Sequence, residues 1–301
     1  MTPTARLAPR SIFKHFIAIE QAEGQGARVR RSIGTPKLRN FSPFLMLDHF
    51  SVGGKAGFPD HPHRGQETIT YMLHGEVDHE DFTGSAGTIK EGDLQFMTAG
   101  RGIMHAEMPR PQKDGSPVVG LQLWVDLPEK LKDCEPRYRD LRKDEIPTAK
   151  PSEKVEVKVI SGESYGVESV KDLAYTPVWF LDFKVKPGGY VSQDLPIGWN
   201  AFAYVLKGEL FFGTTKIPQY SNVVFDVEGD GIEFSVSEEA TEEVQVVVIA
   251  GQRLDQKVVQ YGPFVATSEQ KIYEAILDFQ GHTNGFERGL QWESKIAKMI
   301  K

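Results

Sequence analysis

Two pairs of residues that can bind a metal ion lie within positions 58–109 of the sequence. His61 and His63 form the first pair, and His105 and Glu107 form the second, each with one residue between its members. On a β-strand this spacing directs both side chains of a pair to the same face. If two such strands face one another inside a barrel, three imidazoles and one carboxylate meet at one point. The spacing therefore predicts a mononuclear metal site.

Three imidazoles and a carboxylate suit a first-row divalent metal such as iron, manganese, nickel, cobalt, copper or zinc. Structural zinc sites usually use thiolates, and the chain has a single cysteine, Cys134. Four protein ligands on an octahedral ion leave two neighbouring positions for substrate and oxygen. The alternative is that these are ordinary core or surface histidines. The second same-face pair, which begins 42 residues after His63, argues against that alternative.

The composition is that of an ordinary globular protein. The chain has 301 residues, enough for two domains, with a net charge of −7 and a sequence pI of about 5.7. This acidic balance argues against a broad nucleic-acid-binding surface, which would be basic. One cysteine allows no internal disulfide, and no apolar run approaches the ~20 residues of a membrane-spanning helix. We expect a monomer in the cytoplasm, the nucleus or both, without membrane association.

Short apolar stretches separated by glycine and proline fill most of the chain and predict an all-β protein. Before the ligand segment we expect two strands within residues 12–33, joined by a turn at 23–26, and a third strand at 44–50. After it, residues 120–128 alternate apolar and polar side chains, which predicts a strand with one buried face. The charged, proline-containing segment 129–151 is typical of an inter-domain linker.

An internal repeat divides the chain into two similar halves. The string YMLHGEV at 71–77 matches YVLKGEL at 204–210, and the triplet EGD occurs at both 91–93 and 228–230. The ligand positions do not recur, because at the offset of 133 residues that relates the first two strings His61 falls on Asp194 and His63 on Pro196. We therefore expect two similar β domains, of which only the first holds a metal ion.

Near the C-terminus the apolar pattern becomes helical. Residues 268–280 place Ile272, Ala275, Ile276 and Phe279 at helical spacing, with Ser268 as the N-cap. A second helix is expected over residues 286–299.

The longer strings around the ligand pairs resemble known motifs. HPHRGQETITYMLHG resembles the first cupin motif, and EGDLQFMTAGRGIMHAE resembles the second. The fuller strings, which include FPDHPHRG, HEDF, MTAGRGI and GLQLWV, resemble the pirin family from about residue 23 to residue 288. The resemblance implies one iron ion, Fe(II), held by His61, His63, His105 and Glu107. Manganese, nickel, cobalt, copper and zinc remain alternatives.

The resemblance also implies the architecture. We expect two tandem cupin-type antiparallel β-barrel or jelly-roll domains with a short helical C-terminal tail. Residues 1–140 would form the N-terminal metal-binding domain. Residues 141–301 would form a C-terminal cupin-like domain without metal ligands, and its helical tail would cover about residues 266–301.

Three further residues near the ligands need separate interpretations. In many cupins the glutamate of the first motif is a ligand, whereas in pirins that role passes to the glutamate after the last histidine. We therefore place Glu67 outside the ligand set, where it would orient a ligand histidine. Arg64 would orient a substrate or form an ion pair with a nearby carboxylate. His79, in the HEDF string, is interpreted as a core histidine with ordinary hydrogen bonds.

The resemblance to pirins implies a function as well. Pirins resemble quercetin 2,3-dioxygenases, which open the central ring of a flavonol with O2 and release CO. A flavonol-like substrate would bind the open metal positions through its oxygens. Glu107 would be both a ligand and the base that accepts the substrate hydroxyl proton. The metal ligands should therefore be indispensable for activity.

Two other functions stay open at this point. Family members are also described as iron-dependent nuclear transcription coregulators, in which the oxidation state of the iron alters a surface that partners read. Arg28, Arg30 and Arg31 would then form the basic surface for a transcription-factor partner. A third possibility is a metal-containing cupin with an unrelated small substrate or none, because bicupins carry many chemistries.

Overall fold

The computed structural model describes residues 7–23, 26–53 and 56–300, and it has an all-β fold with one α-helix in this part of the chain. The expected turn at 23–26 includes two residues outside the described ranges. The α-helix, α1, covers Glu269–Gly281, and short 3-10 turns lie at Glu129–Leu131, Lys143–Glu145, Glu287–Leu290 and Ala297–Ile300. No helix in the described residues is long and apolar enough to cross a membrane.

The strands follow one another along the chain with short connections. In chain order they are β1 (Ile12–Ile17), β2 (Glu20–Glu23), β3 (Ala27–Ile33), β4 (Phe44–Val52), β5 (Phe58–His63), β6 (Gln66–His74), β7 (Glu76–Asp81), β8 (Ala86–Lys90), β9 (Leu94–Thr98), β10 (Ile103–Pro109), β11 (Val118–Asp126), β12 (Arg137–Leu141), β13 (Thr148–Ser152), β14 (Val155–Ser161), β15 (Glu163–Ser164), β16 (Val167–Glu168), β17 (Val178–Val185), β18 (Tyr190–Asp194), β19 (Asn200–Lys207), β20 (Leu210–Phe212), β21 (Thr215–Ile217), β22 (Ser221–Phe225), β23 (Gly231–Ser235), β24 (Val244–Gly251), β25 (Val259–Tyr261) and β26 (Phe264–Ala266).

Contacts within the chain group into two compact units that are not consecutive in sequence. Unit I comprises Glu20–Lys143, Ala174–Thr176 and the described chain from Leu254 onward. Unit II comprises the described chain up to Ile19, Asp144–Leu173 and Pro177–Arg253. The boundary expected at 140/141 is thus close to the main division, but the ends of the chain exchange units. The first strand belongs to unit II and α1 belongs to unit I. Each packs with the unit to which it is hydrogen-bonded or against which it is buried, and not with its neighbours in sequence.

Each unit contains one seven-stranded and one four-stranded antiparallel sheet. In unit I the strand orders are β12-β9-β6-β11-β4-β3-β2 and β5-β10-β7-β8. In unit II they are β1-β22-β19-β24-β17-β14-β13 and β18-β23-β20-β21. The two orders correspond strand for strand, except that the outermost place held by β12 in unit I is held in unit II by β1, from the N-terminal part of the chain.

The internal repeat corresponds to the same hairpin in both units. The turn between β6 and β7 contains Gly75 at φ +81°, and the turn between β19 and β20 contains Gly208 at φ +73°. A Cβ atom would meet Val118 at 2.9 Å in the first case and Val244 at 2.9 Å in the second. Glycine is required at both turns, because its left-handed backbone and small volume let the chain pass close to the neighbouring strand. The predicted repeat is therefore confirmed.

The interiors of the units differ in kind. Unit II is filled by an apolar core in which Val191, Ile232 and Phe234, on β18 and β23, are fully buried. Ring contacts of Phe234 with Phe183 and Phe212, at 5.5 Å between centroids, fill its centre. In unit I the corresponding strands β5 and β10 carry the histidines and Glu107. The absence of a metal site from the second half stays a prediction.

Several local expectations can be compared with the observed elements. The N-cap of α1 is Ser268, whose side chain accepts a hydrogen bond from the Lys271 amide, and Ile272 and Ala275 are buried as predicted. The segment 129–151 contains the division between the units at 143/144, as expected of a connection, but it is ordered and forms two 3-10 turns and the strands β12 and β13. The helix expected at 286–299 is replaced by two single turns. The first expected strand divides into β1 and β2, which pair in different units.

Candidate metal centre

The four predicted ligands lie on β5 and β10, which are hydrogen-bonded neighbours and not strands that face one another across a barrel. In their antiparallel register His61 lies opposite His105, and a bulge then shifts Glu107 opposite Phe58. β5 is the edge strand of its sheet, a position that tolerates the missing N–H groups of Pro59 and Pro62. The alternation within each strand and the pairing between them therefore bring the histidines together.

Three imidazoles form a compact cluster on this sheet. One ring nitrogen from each of His61, His63 and His105 lies within 4.8 Å of the other two, which is a spacing that can hold a metal ion. The ring centroids are 4.4 Å apart for His61 and His105, and 5.0 Å apart for each of the other two pairs. Within the described residues no other group of histidine, cysteine and acidic side chains meets this condition.

The hydrogen bonds of His61 show that its free nitrogen faces the cluster. His61 Nδ1 lies 2.8 Å from the Pro59 carbonyl, an acceptor, so Nδ1 carries the proton and Nε2 keeps its lone pair. That Nε2 is 2.9 Å from His105 Nε2. Two nitrogens bound at right angles to one ion at about 2.1 Å would be separated by about 3.0 Å. The observed separation therefore fits two ligands of a common metal ion.

His63 fits the same arrangement once its amide partner is oriented. The side-chain nitrogen of Gln66 lies 2.8 Å from His63 Nδ1, while Gln66 Oε1 is buried without a partner among the described residues. Exchanging the amide oxygen and nitrogen gives Oε1 a donor, His63 Nδ1–H, and leaves His63 Nε2 as the free nitrogen. The exchange gives up the long hydrogen bond of 3.4 Å from Gln66 Nε2 to the Pro263 carbonyl. With that assignment the donor set suits a metal ion.

Burial keeps two of the imidazoles neutral. Burial lowers the pKa of His63 and of His105 well below the usual histidine range, and the neighbouring His61 lowers both further. A neutral imidazole binds a metal ion without first releasing a proton. Both side chains are therefore in the ligand form at neutral pH.

Glu107 shares the cavity with the cluster, but its carboxylate is held by other groups. It accepts hydrogen bonds from Gln122 Nε2 at 3.1 Å and from the Thr70 hydroxyl at 3.4 Å, and it is 4% exposed. It is not part of the close group that the three histidines form. Trp124 in turn donates from Nε1 to Gln122 Oε1 at 2.9 Å, so the orientation of the Gln122 amide is determined by two partners.

A cavity of about 730 Å³ opens in front of these side chains. Its metal-side wall includes His61, His63 and Glu107. Apolar and aromatic side chains, among them Phe50 and Trp124, cover other parts of the wall. The Trp124 ring stands edge-on to His63, with centroids 5.1 Å apart. A volume of this size admits an organic molecule of several rings.

The sequence of this chain is similar to that of known proteins along almost its whole length. A family model described as Pirin matches residues 26–125, and one described as Pirin C-terminal cupin domain matches residues 180–285. Pirin from Homo sapiens is 48% identical, with 92% of this chain and 95% of that protein covered. A pirin-like protein from Solanum lycopersicum is also 48% identical, with 95% of this chain and 97% of that protein covered. The chain belongs to the pirin family.

A solved structure supports the fold of this pirin-family chain. The crystal structure of quercetin 2,3-dioxygenase from Acinetobacter baumannii is 30% identical to it, with a TM-score of 0.82. The match covers 91% of this chain and 98% of that one. Together with the cupin description of the second matched region, this confirms the two-cupin fold expected from the sequence. Iron as the metal, a place in the nucleus and a coregulator role stay predictions for this member of the pirin family.

Glu67 has a different role from the one expected in this pirin-family site. Its carboxylate accepts hydrogen bonds from the Thr98 hydroxyl at 2.6 Å and from the backbone amides of Tyr175 and Thr176 at 3.0 Å each. Burial raises the pKa of Glu67, against the lowering effect of these hydrogen bonds. None of these partners is a ligand histidine. Glu67 therefore anchors the segment 174–176 to β6 and β9 and does not orient a ligand.

Arg64 does not line the cavity either. Its Nε donates to the Arg101 carbonyl at 2.6 Å, and one terminal nitrogen donates to Asp278 on α1 at 2.8 Å. Its guanidinium also lies 4.7 Å from the centre of the Phe286 ring. The ion-pair alternative is thus the observed one, and the substrate-orienting role is wrong.

The three arginines of β3 do not form one basic surface. Arg28 and Arg30 both pair with Glu20, at 2.7 and 3.4 Å. Arg31 points into the cavity, where it binds both oxygens of Asp48 and also contacts Glu23 at 2.7 Å. Strand alternation separates the side chains, so a partner surface made of all three is not supported. A transcription-factor partner remains a prediction.

Sequence reasoning missed several residues of the cavity wall. Gln122 and Trp124 occupy the polar face of β11, and Asp48 lies on β4 beside the half-buried Arg31. For the first two a signal was present, because alternation on β11 already placed them on the face opposite the apolar core. For Asp48 there was none, since its partner Arg31 is 17 residues away along the chain.

Proposed function

We propose that this chain is a mononuclear iron dioxygenase of the quercetinase type, which opens the central ring of a flavonol with O2. The observation that carries the proposal is the three-histidine cluster at the wall of a cavity that is large enough for such a molecule. The similarity to quercetin 2,3-dioxygenase from Acinetobacter baumannii supports it. A bound Fe(II) ion would supply Lewis acidity toward substrate oxygens and a one-electron couple for O2 chemistry.

The chain's own residues have distinct tasks in this proposal. His61, His63 and His105 would hold the metal ion. Phe50, Phe58 and Trp124 line the cavity and would enclose a flat aromatic substrate and exclude water from it.

Glu107 would be the fourth ligand and the base of the reaction. Its buried carboxylate lines the same cavity as His61 and His63, so a substrate hydroxyl placed there comes within its reach. It would accept that hydroxyl proton and hold it while the ring opens. Gln122 and Thr70 would keep the carboxylate oriented through the hydrogen bonds described above.

The test combines metal analysis with turnover. The protein, purified without added metal and then loaded with Fe(II), should consume O2 in the presence of quercetin and release CO. The His105→Ala variant should lose bound iron and activity together, because only two clustered imidazoles remain and the Glu107 carboxylate, held by Gln122 and Thr70, lies outside the close group. His74→Ala is the matched control, since His74 is an exposed histidine paired with Glu91, and it should behave as the wild type.

Two results would contradict the proposal. Turnover by demonstrably metal-free protein would exclude metal-dependent chemistry at this cluster. Absence of O2 uptake with quercetin and with a panel of other flavonols, by protein that holds one iron per chain, would exclude a flavonol as substrate. In the second case the coregulator and the unrelated-metabolite alternatives would regain weight.

A further inference from the structure

His105 has a second ring nitrogen that the cluster does not use. Its Nδ1 is buried and has no hydrogen-bond partner among the described residues. A metal-bound histidine almost always donates its other N–H to a carboxylate, a carbonyl or water, because that bond sets the tautomer and the ring orientation. His61 has such a partner in the Pro59 carbonyl. The environment of His105 Nδ1 therefore decides how well this ligand is oriented.

Asp81 is the carboxylate that the sheet places beside His105. In the antiparallel register of β7 and β10, Asp81 lies directly opposite His105. Side chains directly opposite one another share a face, with Cβ atoms about 4.5–5.5 Å apart. Both residues are buried, at 3% and 2% exposure. The carboxylate is therefore within reach of the imidazole in the interior of unit I.

Only one oxygen of Asp81 is occupied. Oδ1 accepts hydrogen bonds from the Thr83 amide at 2.6 Å, the Thr83 hydroxyl at 2.6 Å and the Ser85 amide at 3.1 Å. Oδ2 is buried and has no hydrogen-bond partner in the described part of the chain. The turn after β7 therefore accounts for the hydrogen bonds of Oδ1, whereas Oδ2 remains available to another donor.

Tyr138 on β12 is the third member of the group. Its hydroxyl is also buried and meets no strict hydrogen-bond geometry with the described residues. Burial raises the pKa of Tyr138 well above the usual tyrosine range, and the charge of the nearby Asp81 raises it further. The ring stacks on His79 with centroids 6.0 Å apart.

We propose that Asp81 is a positioning residue for the ligand His105, with Tyr138 as its support. Oδ2 of Asp81 accepts the Nδ1–H of His105 and the hydroxyl hydrogen of Tyr138, so three otherwise unpartnered buried atoms satisfy one another. The proton is thereby kept on Nδ1, and Nε2 keeps its lone pair for the metal ion. The inference rests on the metal site of the proposed function, but not on the identity of the substrate.

The first test measures metal affinity without any reaction. Chelator-treated protein is titrated with Co²⁺ alone, and binding is followed by the visible absorption of the ion. Asp81→Asn keeps the shape and one carbonyl oxygen for the turn, and it should weaken Co²⁺ binding about 10- to 100-fold. Tyr138→Phe removes only the hydroxyl and should weaken binding in the same direction by a smaller factor.

Asp78→Asn is the matched control on the same strand. Asp78 lies opposite Met108 in the register with β10 and pairs with Thr88 and Arg110. It therefore resembles Asp81 in type and strand, but it does not lie opposite a ligand. Co²⁺ affinity should be unchanged in this variant. Equal weakening by Asp78→Asn and Asp81→Asn would mean that loss of sheet stability causes the effect, and it would overturn the inference.

The second test reads the tautomer directly in the wild type, so it does not depend on a variant that folds. With Zn²⁺ as a diamagnetic probe, long-range ¹H–¹⁵N spectra of ¹⁵N-histidine-labelled protein report which ring nitrogen carries the proton. His105 should show a protonated Nδ1 whose proton resonates downfield, as expected for a bond to a carboxylate. Asp81→Asn should shift that proton upfield.

Two outcomes would overturn the inference while leaving the proposed function intact. One is wild-type protein that binds metal with His105 protonated at Nε2. The other is a folded Asp81→Asn variant with wild-type Co²⁺ affinity and an unshifted Nδ1 proton. If the wild type itself binds no Co²⁺ or Zn²⁺, the metal site and hence the proposed function fail first. The two ideas can therefore be separated.

Discussion

At the residue scale, the carboxylate of Glu107 is the most informative group in the cavity. Trp124 fixes the amide of Gln122, and that amide fixes Glu107 through the 3.1 Å hydrogen bond. A carboxylate held in this way keeps its orientation before a substrate arrives, which reduces the reorganisation that proton transfer requires. We expect the three clustered histidines to retain an ion without Glu107, so the metal-binding and proton-accepting roles of Glu107 can be tested separately.

We expect Glu107→Gln to keep the metal and lose most of the activity. The amide has the shape of the carboxylate but cannot accept the substrate proton, so kcat should fall roughly 10²- to 10⁴-fold. Iron content and quercetin-dependent O2 uptake are measured on the same sample. Glu91→Gln, which alters an exposed glutamate beside His74, is the control. Wild-type kcat in the Glu107 variant would exclude this residue as the base.

At the element scale, one side chain connects both ligand strands to the C-terminal helix. Arg64 directly follows His63 at the end of β5, its Nε binds the carbonyl of Arg101 just before β10, and its terminal nitrogens reach Asp278 on α1 and the Asn284 carbonyl. Phe286, at the far side of the guanidinium, is fully buried. The C-terminal segment is therefore part of the structural support of the metal centre in unit I.

Loss of this side chain should destabilise unit I. The Arg64 and Asp278 side chains are 13% and 16% exposed. Arg64→Met removes the cation from the Asp278 carboxylate, which keeps only its hydrogen bonds from Thr283 and Asn284. Because this site is only partly solvated, we expect the free energy of unfolding to fall by about 2–4 kcal/mol. Urea unfolding, followed by Trp292 and Trp124 fluorescence in Trp179→Phe/Trp199→Phe protein, gives the value for unit I.

Lys257→Met provides the comparison for the Arg64 variant. It removes an ion pair with Glu269, also at α1, whose two side chains are 60% and 77% exposed. Exposed pairs contribute little because water screens them, so this variant should unfold near the wild-type midpoint. Equal effects of the two substitutions would show that Arg64 is not a buried connection.

At the scale of the whole molecule, the ends of the chain are exchanged between the units. The first strand pairs with β22 from Ile12 opposite Phe225 to Ile17 opposite Ser221. It covers the outer edge of β22, just as β12 covers the outer edge of β9 in unit I. An uncovered edge presents free backbone groups to water and to other chains. Unit II therefore depends on residues that lie more than 100 positions before its main segment.

Deletion of residues 1–18 should act on unit II alone. We expect faster amide hydrogen exchange in β22, because its backbone loses the partners on β1, and no change in β9, which keeps β12. Hydrogen-exchange mass spectrometry on the two peptides provides the comparison within one sample. Co²⁺ affinity should be unchanged, since all the ligands belong to unit I. Unaltered exchange in β22 would show that β1 contributes little to this sheet.

Much of the centre was predictable because it depends on neighbours in sequence. Strand alternation puts His61 and His63 on one face, and a serine before an apolar 3.6-residue pattern begins α1. The glycines of the repeated hairpin are required by local backbone geometry. These features need only a few consecutive residues, so the all-β fold, the repeat, the helix start and the three histidines could be identified without a structure.

Only the tertiary structure decided which residues contact the ligands and support them. Strand pairing makes β5 and β10 neighbours and places Asp81 beside His105. Contacts between distant positions let Glu67 hold residues 174–176 and let Arg64 bind α1. The Arg64–Asp278 pair, for example, spans 214 residues. No short pattern encodes such pairs, because burial and register select each partner from many side chains of the same charge. The chain thus carries its ligands in local motifs, while their support comes from the fold.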